Sequence, residues 1–132
     1  MADIQGNLNV IGQTASSNFI GPVRGVDNIQ LNFAFGDVSP VNVFQAEANQ
    51  LIEEIQILIL ETFNGIGAFL KVGDAIQDDR LFTANQNYPS VSATYVVTPN
   101  YSYGSLTQIL LTIDPGSGAT QGSGLLLVKY RI

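Results

Sequence analysis

The sequence predicts an all-β chain: an antiparallel, jelly-roll-like β-sandwich over residues 26–132, preceded by an extended N-terminal arm over residues 1–25. Three observations predict it. Apolar residues recur with period two in several segments of strand length, clusters of Gly, Pro and Asn cut the chain between them, and β-branched residues fill the one stretch that also fits a helix. With 132 residues and 45% hydrophobic content, the chain can bury one core without disulfides.

Residues 1–25 are rich in Gly, Asn, Gln and Ser and carry scattered apolar side chains, among them Ile4, Leu8, Val10, Phe19 and Ile20. This pattern suits an arm whose anchors seat on a neighbouring molecule, and it also suits a partly ordered terminus. From Val26 the period is two. Ile29, Leu31, Phe33 and Phe35 alternate with Asn28, Gln30, Asn32 and Ala34, as in a half-buried strand, until Gly36-Asp37 and Ser39-Pro40 stop it. Val41, Val43 and Ala46 mark a second strand. Leu51, Ile52, Ile55, Leu58 and Ile59 also fit a helical stripe, but four Ile residues favour a strand over 51–62, because branched side chains suit a pleated surface. Strict alternation then puts Glu53 and Glu61 on one face and Glu54 on the other.

A turn at Phe63–Gly67 leads to a strand at Ala68–Val72, and Gly73-Asp74 opens a polar loop that carries Leu81 and Phe82. Strands are expected at Val91–Thr98, Leu106–Ile113 and Leu125–Ile132, with a Tyr101–Gly104 loop and a flexible, glycine-rich tract from Asp114 to Gly124 between them. The inward set is expected to be Ile29, Leu31, Phe33, Ile57, Ile59, Leu70, Val72, Leu111, Ile113 and Val128.

Composition narrows the function. The absence of His and Cys removes Ser–His–Asp and Cys–His catalysis, thiol redox chemistry and ordinary structural zinc. The net charge is −6, and the five basic residues Arg24, Lys71, Arg80, Lys129 and Arg131 are scattered, so the clustered basic footprint of a nucleic-acid binder is missing. The N-terminal residues lack a positive n-region and an apolar h-region, so no signal peptide is expected. The longest plain aliphatic runs, Ile57–Leu60 and Leu125–Val128, are far shorter than the roughly 20 residues of a spanning helix, and no membrane partner is expected. Charged residues make up only 12% of the chain, against about 25% in ordinary domains, while Asn, Gln, Ser and Thr supply 38 residues. Such a surface is weakly protected against self-association, which suits a protein packed against copies of itself or its neighbours.

Four groups of residues invite a chemical reading. Asp74, Asp78 and Asp79 lie within one loop, as a hard cation such as calcium requires, but they lack the EF-hand spacing and equally suit a turn that caps backbone N–H groups. Glu53 and Glu61 would lie roughly 26 Å apart along a strand, too far for a glycosidase pair. Tyr88, Tyr95, Tyr101 and Tyr103, set among amides, suit glycan stacking at the Tyr101–Tyr103 loop and equally suit strand packing. Gly116, Gly118, Gly122 and Gly124 lack the Lys-Ser/Thr and the helix of a phosphate loop. Catalytic residues, cofactors and resident metals are therefore not expected.

The segments Ile55-Gln-Ile-Leu-Ile-Leu-Glu-Thr-Phe63-Asn-Gly and Leu70-Lys-Val-Gly-Asp-Ala-Ile-Gln-Asp-Asp-Arg-Leu81 set a pattern that Thr94-Tyr-Val-Val and Ile109-Leu-Leu-Thr-Ile113 continue. Ala119-Thr-Gln-Gly-Ser-Gly-Leu-Leu-Leu-Val-Lys-Tyr130 closes it. In this order the chain, over residues 50–132, resembles small β-rich bacteriophage virion proteins, namely capsid decoration (cement) and tail-associated domains. The resemblance implies a non-enzymatic structural role in the virion, with copies of the chain (as a homotrimer) and the major capsid protein as partners. The alternative it leaves open is a tail-fibre or baseplate domain that binds a receptor glycan. Candidate contact residues are Ile4, Leu8, Val10, Phe19, Ile20, Tyr101 and Tyr103.

Overall fold

The computed structural model describes residues 26–131. The alternation that begins at Val26 forms β1 (Val26–Ala34), followed by β2 (Val41–Ala46), β3 (Leu51–Glu61) and β4 (Phe69–Gly73). β5 (Thr94–Val97), β6 (Tyr101–Ser102), β7 (Thr107–Asp114) and β8 (Ser123–Arg131) complete the strands, with one 3₁₀ turn at Ala84–Gln86. The ambiguous segment is a strand, and the described chain is all-β, as expected.

Two antiparallel sheets face each other. The first runs β1-β8-β3-β5, with β6 also paired to β3, and the second runs β2-β7-β4. A bridge between Val72 and Phe82 extends the second sheet beyond β4. From β1 to β4 each strand lies in the sheet opposite its predecessor, so the two layers are laced together by their connections.

The core lies between the layers. Ile52, Ile55, Ile57, Ile59, Leu126 and Val128 point inward from the first sheet, and Leu70, Val72, Ile109, Leu111 and Ile113 from the second, with Phe33, Phe63 and Phe82 filling the space between. Of the expected inward set only Ile29 and Leu31 are half-buried, because β1 is an edge strand with cover on one flank only.

Strict alternation fails in β3. Its ladder with β8 shifts between Ile52 and Glu54 and again between Ile59 and Glu61. The extra residue at the first bulge lets Ile52 and Ile55 both point inward and turns Glu53 and Glu54 outward together. There Glu53 meets Arg131 at 2.6 Å and Glu54 meets Lys129 at 3.9 Å. The expected separation of these two carboxylates onto opposite faces is therefore corrected.

β5 is shorter than the expected 91–98, because Val91 closes a turn by donating its N–H to the Tyr88 carbonyl. The tract expected to be flexible is tied down. Ile66 and Ser117 form a two-way backbone bridge, and Asn64 Oδ1 accepts the N–H groups of Thr120 (2.9 Å) and Gln121 (3.2 Å). Gly65 and Gly116 make this clasp feasible: a Cβ on Gly65 would lie 2.0 Å from the Pro115 carbonyl oxygen, and Gly116 holds φ at +83°.

Candidate functional site

The loops that carry Asp74 and Tyr103 lie at the opposite end of the sandwich from this clasp. β4 ends at Gly73, and the next residues fold back over it so tightly that a Cβ there would lie 2.3 Å from the Gln77 carbonyl oxygen. This turn buries Asp74, which is 3% exposed. Its Oδ1 accepts the N–H groups of Ile76 (3.0 Å) and Gln77 (2.9 Å). Its Oδ2 accepts Arg80 Nε at 2.6 Å and the Tyr103 hydroxyl at 2.8 Å. The Tyr103 carbonyl in turn accepts the N–H of Asn49, so the cluster fastens three loops at one point.

Burial alone would raise the Asp74 carboxyl, but the Arg80 guanidinium, the Gln77 amide, the Tyr103 hydroxyl and the Ile76 amide outweigh it and hold the group at about 2, below its ordinary 3.8. Tyr103 moves the other way: burial first, then its bond to the Asp74 carboxylate, pushes its hydroxyl above the usual tyrosine range. Asp74 is thus a carboxylate and Tyr103 a neutral phenol at neutral pH. The four carboxylate lone pairs all have donors, so Asp74 aims no basic oxygen at the surface.

The Arg80 guanidinium lies 5.6 Å from the centre of the Tyr101 ring, and Tyr101 meets Tyr103 edge-on at 4.8 Å. Two open hollows, of about 490 Å³ and about 470 Å³, share Arg80 and Tyr101 as common wall. Val96, Val97 and Pro99 line the first; Ile76 and Leu106, 92% and 61% exposed, flank the second. Such a surface offers apolar contact and an aromatic–guanidinium stack.

The structure brings Tyr101 and Tyr103 together but gives them different places. Tyr103 is 8% exposed, packed into the core with its hydroxyl committed, whereas Tyr101 is half-buried beside the hollows. Of the two, Tyr101 is the one that borders both hollows. The aspartates do not converge: Asp78 pairs with Lys71 at 3.4 Å and Asp79 accepts from Gln77 Nε2 at 3.3 Å. Among the described residues no three acidic side chains are grouped to hold a metal. Ile4, Leu8, Val10, Phe19 and Ile20 lie outside the described residues. Sequence reasoning missed the role of Arg80, which reads only as one of five scattered basic residues. The signal that marks it is its place six residues after the Asp of a Gly-Asp turn, within a loop short enough to bring the two together.

No protein-family model and no curated protein matches the chain. Solved structures do. A chain of the acidic stable capsid structure of Helicobacter pylori bacteriophage KHP30 matches with a TM-score of 0.64 at 12% identity, covering 81% of this chain and 87% of that one. A chain of the cyanophage Pam1 capsid asymmetric unit matches with a TM-score of 0.61 at 18% identity, covering 94% and 97%. At such identities the likeness is one of fold.

Proposed function

We propose that this chain is a non-enzymatic structural protein of a bacteriophage virion, a cement protein that decorates the capsid as an oligomer. The observation that carries this reading is the match to two phage capsid chains over nearly their whole lengths. In those particles a capsid component consists of this fold and little else. The strand order supports it: β1-β8-β3-β5 facing β2-β7-β4 suits the interleaved strand order of a jelly roll, an architecture used in viral capsids. The site chemistry supports it as well, since the one buried carboxylate among the described residues is consumed in holding loops together. The net charge of −6 suits the outside of a shell better than its genome side.

In this reading the homotrimer is the favoured assembly, by analogy with decoration proteins on threefold axes. Residues 1–25 reach onto the major capsid protein or a neighbouring copy, anchored by Ile4, Leu8, Val10, Phe19 and Ile20. Deletion of residues 1–22 is the test. The truncated protein is expected to keep its β-rich circular dichroism and melting transition but to bind bare capsids poorly. A truncated protein that saturates bare capsids like the full chain would overturn the role of the arm, and a full chain that does not bind them would overturn the cement assignment. The half-buried ring of Tyr101, beside Arg80 and bordering both hollows, favours one second reading, a tail-associated glycan-binding domain. Binding to host-surface glycans that is lost in Tyr101→Ala would establish it instead.

A further inference from the structure

The two longest aliphatic runs of the chain, Ile57–Leu60 and Leu125–Val128, end up side by side. β3 and β8 are neighbours in the first sheet, and their register sets Ile57 against Leu126 and Leu58 against Leu125. A strand with one wet face reads as alternating; an unbroken apolar run is the mark of a strand covered on both faces. The inward halves of these runs, Ile57, Ile59, Leu126 and Val128, fill the core. Of their outward members, Leu58, Leu125 and Leu127 are half-buried among their sheet neighbours with no second layer of the described chain over them, and Leu60, at the second bulge of β3, is 59% exposed.

The pairings extend this apolar centre into ranks. One rank is Gln30, Leu127, Gln56 and Val96; the next is Asn32, Leu125, Leu58 and Thr94. Val96 is 51% exposed, and a shallow depression of about 240 Å³ lies over Leu127 between Gln30 and Gln56. Neither rank contains a charge. The rank beyond, Asn28, Lys129 and Glu54, carries one cation and one anion paired with each other. The rank on the other side is Ala34, Ser123 and the exposed Glu61, so on a chain of net charge −6 the two middle ranks form a neutral leucine surface set among amides, with one carboxylate at its border.

We propose that this outer face of the first sheet is where copies of the chain pack against one another. It rests on the reading above only for the expectation that copies associate. Two properties select a second copy as the occupant. A neutral patch lets two acidic molecules meet without bringing their carboxylates together. Asn and Gln each carry donor and acceptor on one side chain, so an amide rim complements itself, whereas a carboxylate or ammonium rim repels itself. Four strands by three ranks span roughly 400 Å², about half of the roughly 800 Å² that each partner buries in a standard stable interface. Association through this face alone is therefore weak and rises with concentration, as suits subunits gathered on a surface that concentrates them.

Sedimentation equilibrium of the full chain from about 10 µM to about 1 mM tests this without any particle. The mass is expected to rise above 14.1 kDa with concentration. Leu127→Lys is expected to hold it at the monomer value throughout, with the circular dichroism of the wild type, and Leu106→Lys at the sandwich end to leave the rise unchanged. A wild-type mass that stays at the monomer value, or a folded Leu127→Lys that associates like the wild type, overturns the proposal. Dilution of the ¹⁵N-labelled wild type gives a readout independent of the variant's folding: amide shifts are expected to cluster at Leu58, Val96, Leu125 and Leu127, and shifts elsewhere alone overturn it. Capsid binding is measured separately, so failure of the cement reading and failure of this interface are distinguishable.

Discussion

The two ends of the sandwich are closed by different physics. At the Asp74 end a buried carboxylate gathers two backbone amides, a guanidinium and a phenol, and the loops are held by charge and directional hydrogen bonds. At the other end Gly65 and Gly116 let two backbones touch, and Asn64 ties the following loop by accepting two backbone N–H groups. Both closures need a bare Cα, at Gly73 in the first and at Gly65 and Gly116 in the second, but only the first is also built around a buried carboxylate. The same sandwich thus has one end held by a buried anion and one held mainly by close backbone approach.

Gly65→Ala gives the largest expected effect. The new Cβ would overlap the Pro115 carbonyl oxygen, which is backbone and cannot rotate away, so a loss of about 3 kcal/mol is expected in denaturant unfolding. Asp74→Asn comes next. It removes the anion that Arg80 and Tyr103 share, and because Arg80 is about a quarter exposed (24%), the loss is expected to be about 2 kcal/mol, less than for a fully buried pair.

The acid dependence sharpens the contrast. The Asp74 carboxyl is lower in the folded chain, about 2, than its ordinary 3.8, so its contribution is complete above 3.8 and fades as pH falls from there through about 2. Discounted for solvent, the fading amounts to about 1 kcal/mol. Urea midpoints measured from pH 5 down to about pH 2 are expected to show this loss in the wild type and in Gly65→Ala, and to lose that part of the slope in Asp74→Asn. A wild type and an Asp74→Asn with parallel acid limbs would show that the two ends do not differ in this way. Asn64→Ala is the smallest change. Its bonds to Thr120 and Gln121 are exposed to water, and about 1 kcal/mol is expected, with no change in acid dependence.

The same contrast explains what the sequence made legible. β1 announced itself through Ile29, Leu31, Phe33 and Phe35, and the inward set of β3 through Ile55, Ile57 and Ile59, because period two is a local property that survives in the fold. The bulge at Glu53-Glu54 was not legible: one inserted residue leaves composition unchanged and reverses every face before it. The Asp74 turn was legible as a cap for backbone N–H groups, but its guanidinium and phenol partners come from positions 80 and 103, and the second contact spans 29 residues. The spacing of Tyr101 and Tyr103 put both rings on one side of the chain. Whether that side faces core or solvent was set by the 74–80 loop, which no pattern at 101–103 encodes. The glycine-rich tract before β8 read as flexible because its restraints, Asn64 and Ile66, lie more than 50 residues earlier.

The placement of β8 has a consequence for how the molecule is made. β8 lies between β1 and β3 and pairs with both, and the Asp27–Tyr130 contact closes a loop of 103 residues. Until β8 has left the ribosome, β1 has no partner in the first sheet and β3 lacks the strand that covers most of its length. The first sheet therefore cannot grow strand by strand during synthesis; it must wait for a late arrival to insert between two early ones. Chains ordered in this way pay a large loop-closure entropy before their core rewards it. Folding in milliseconds to seconds is the natural pace for such a topology, and nascent chains lacking β8 leave the inward isoleucine row of β3 open to any chaperone that meets them.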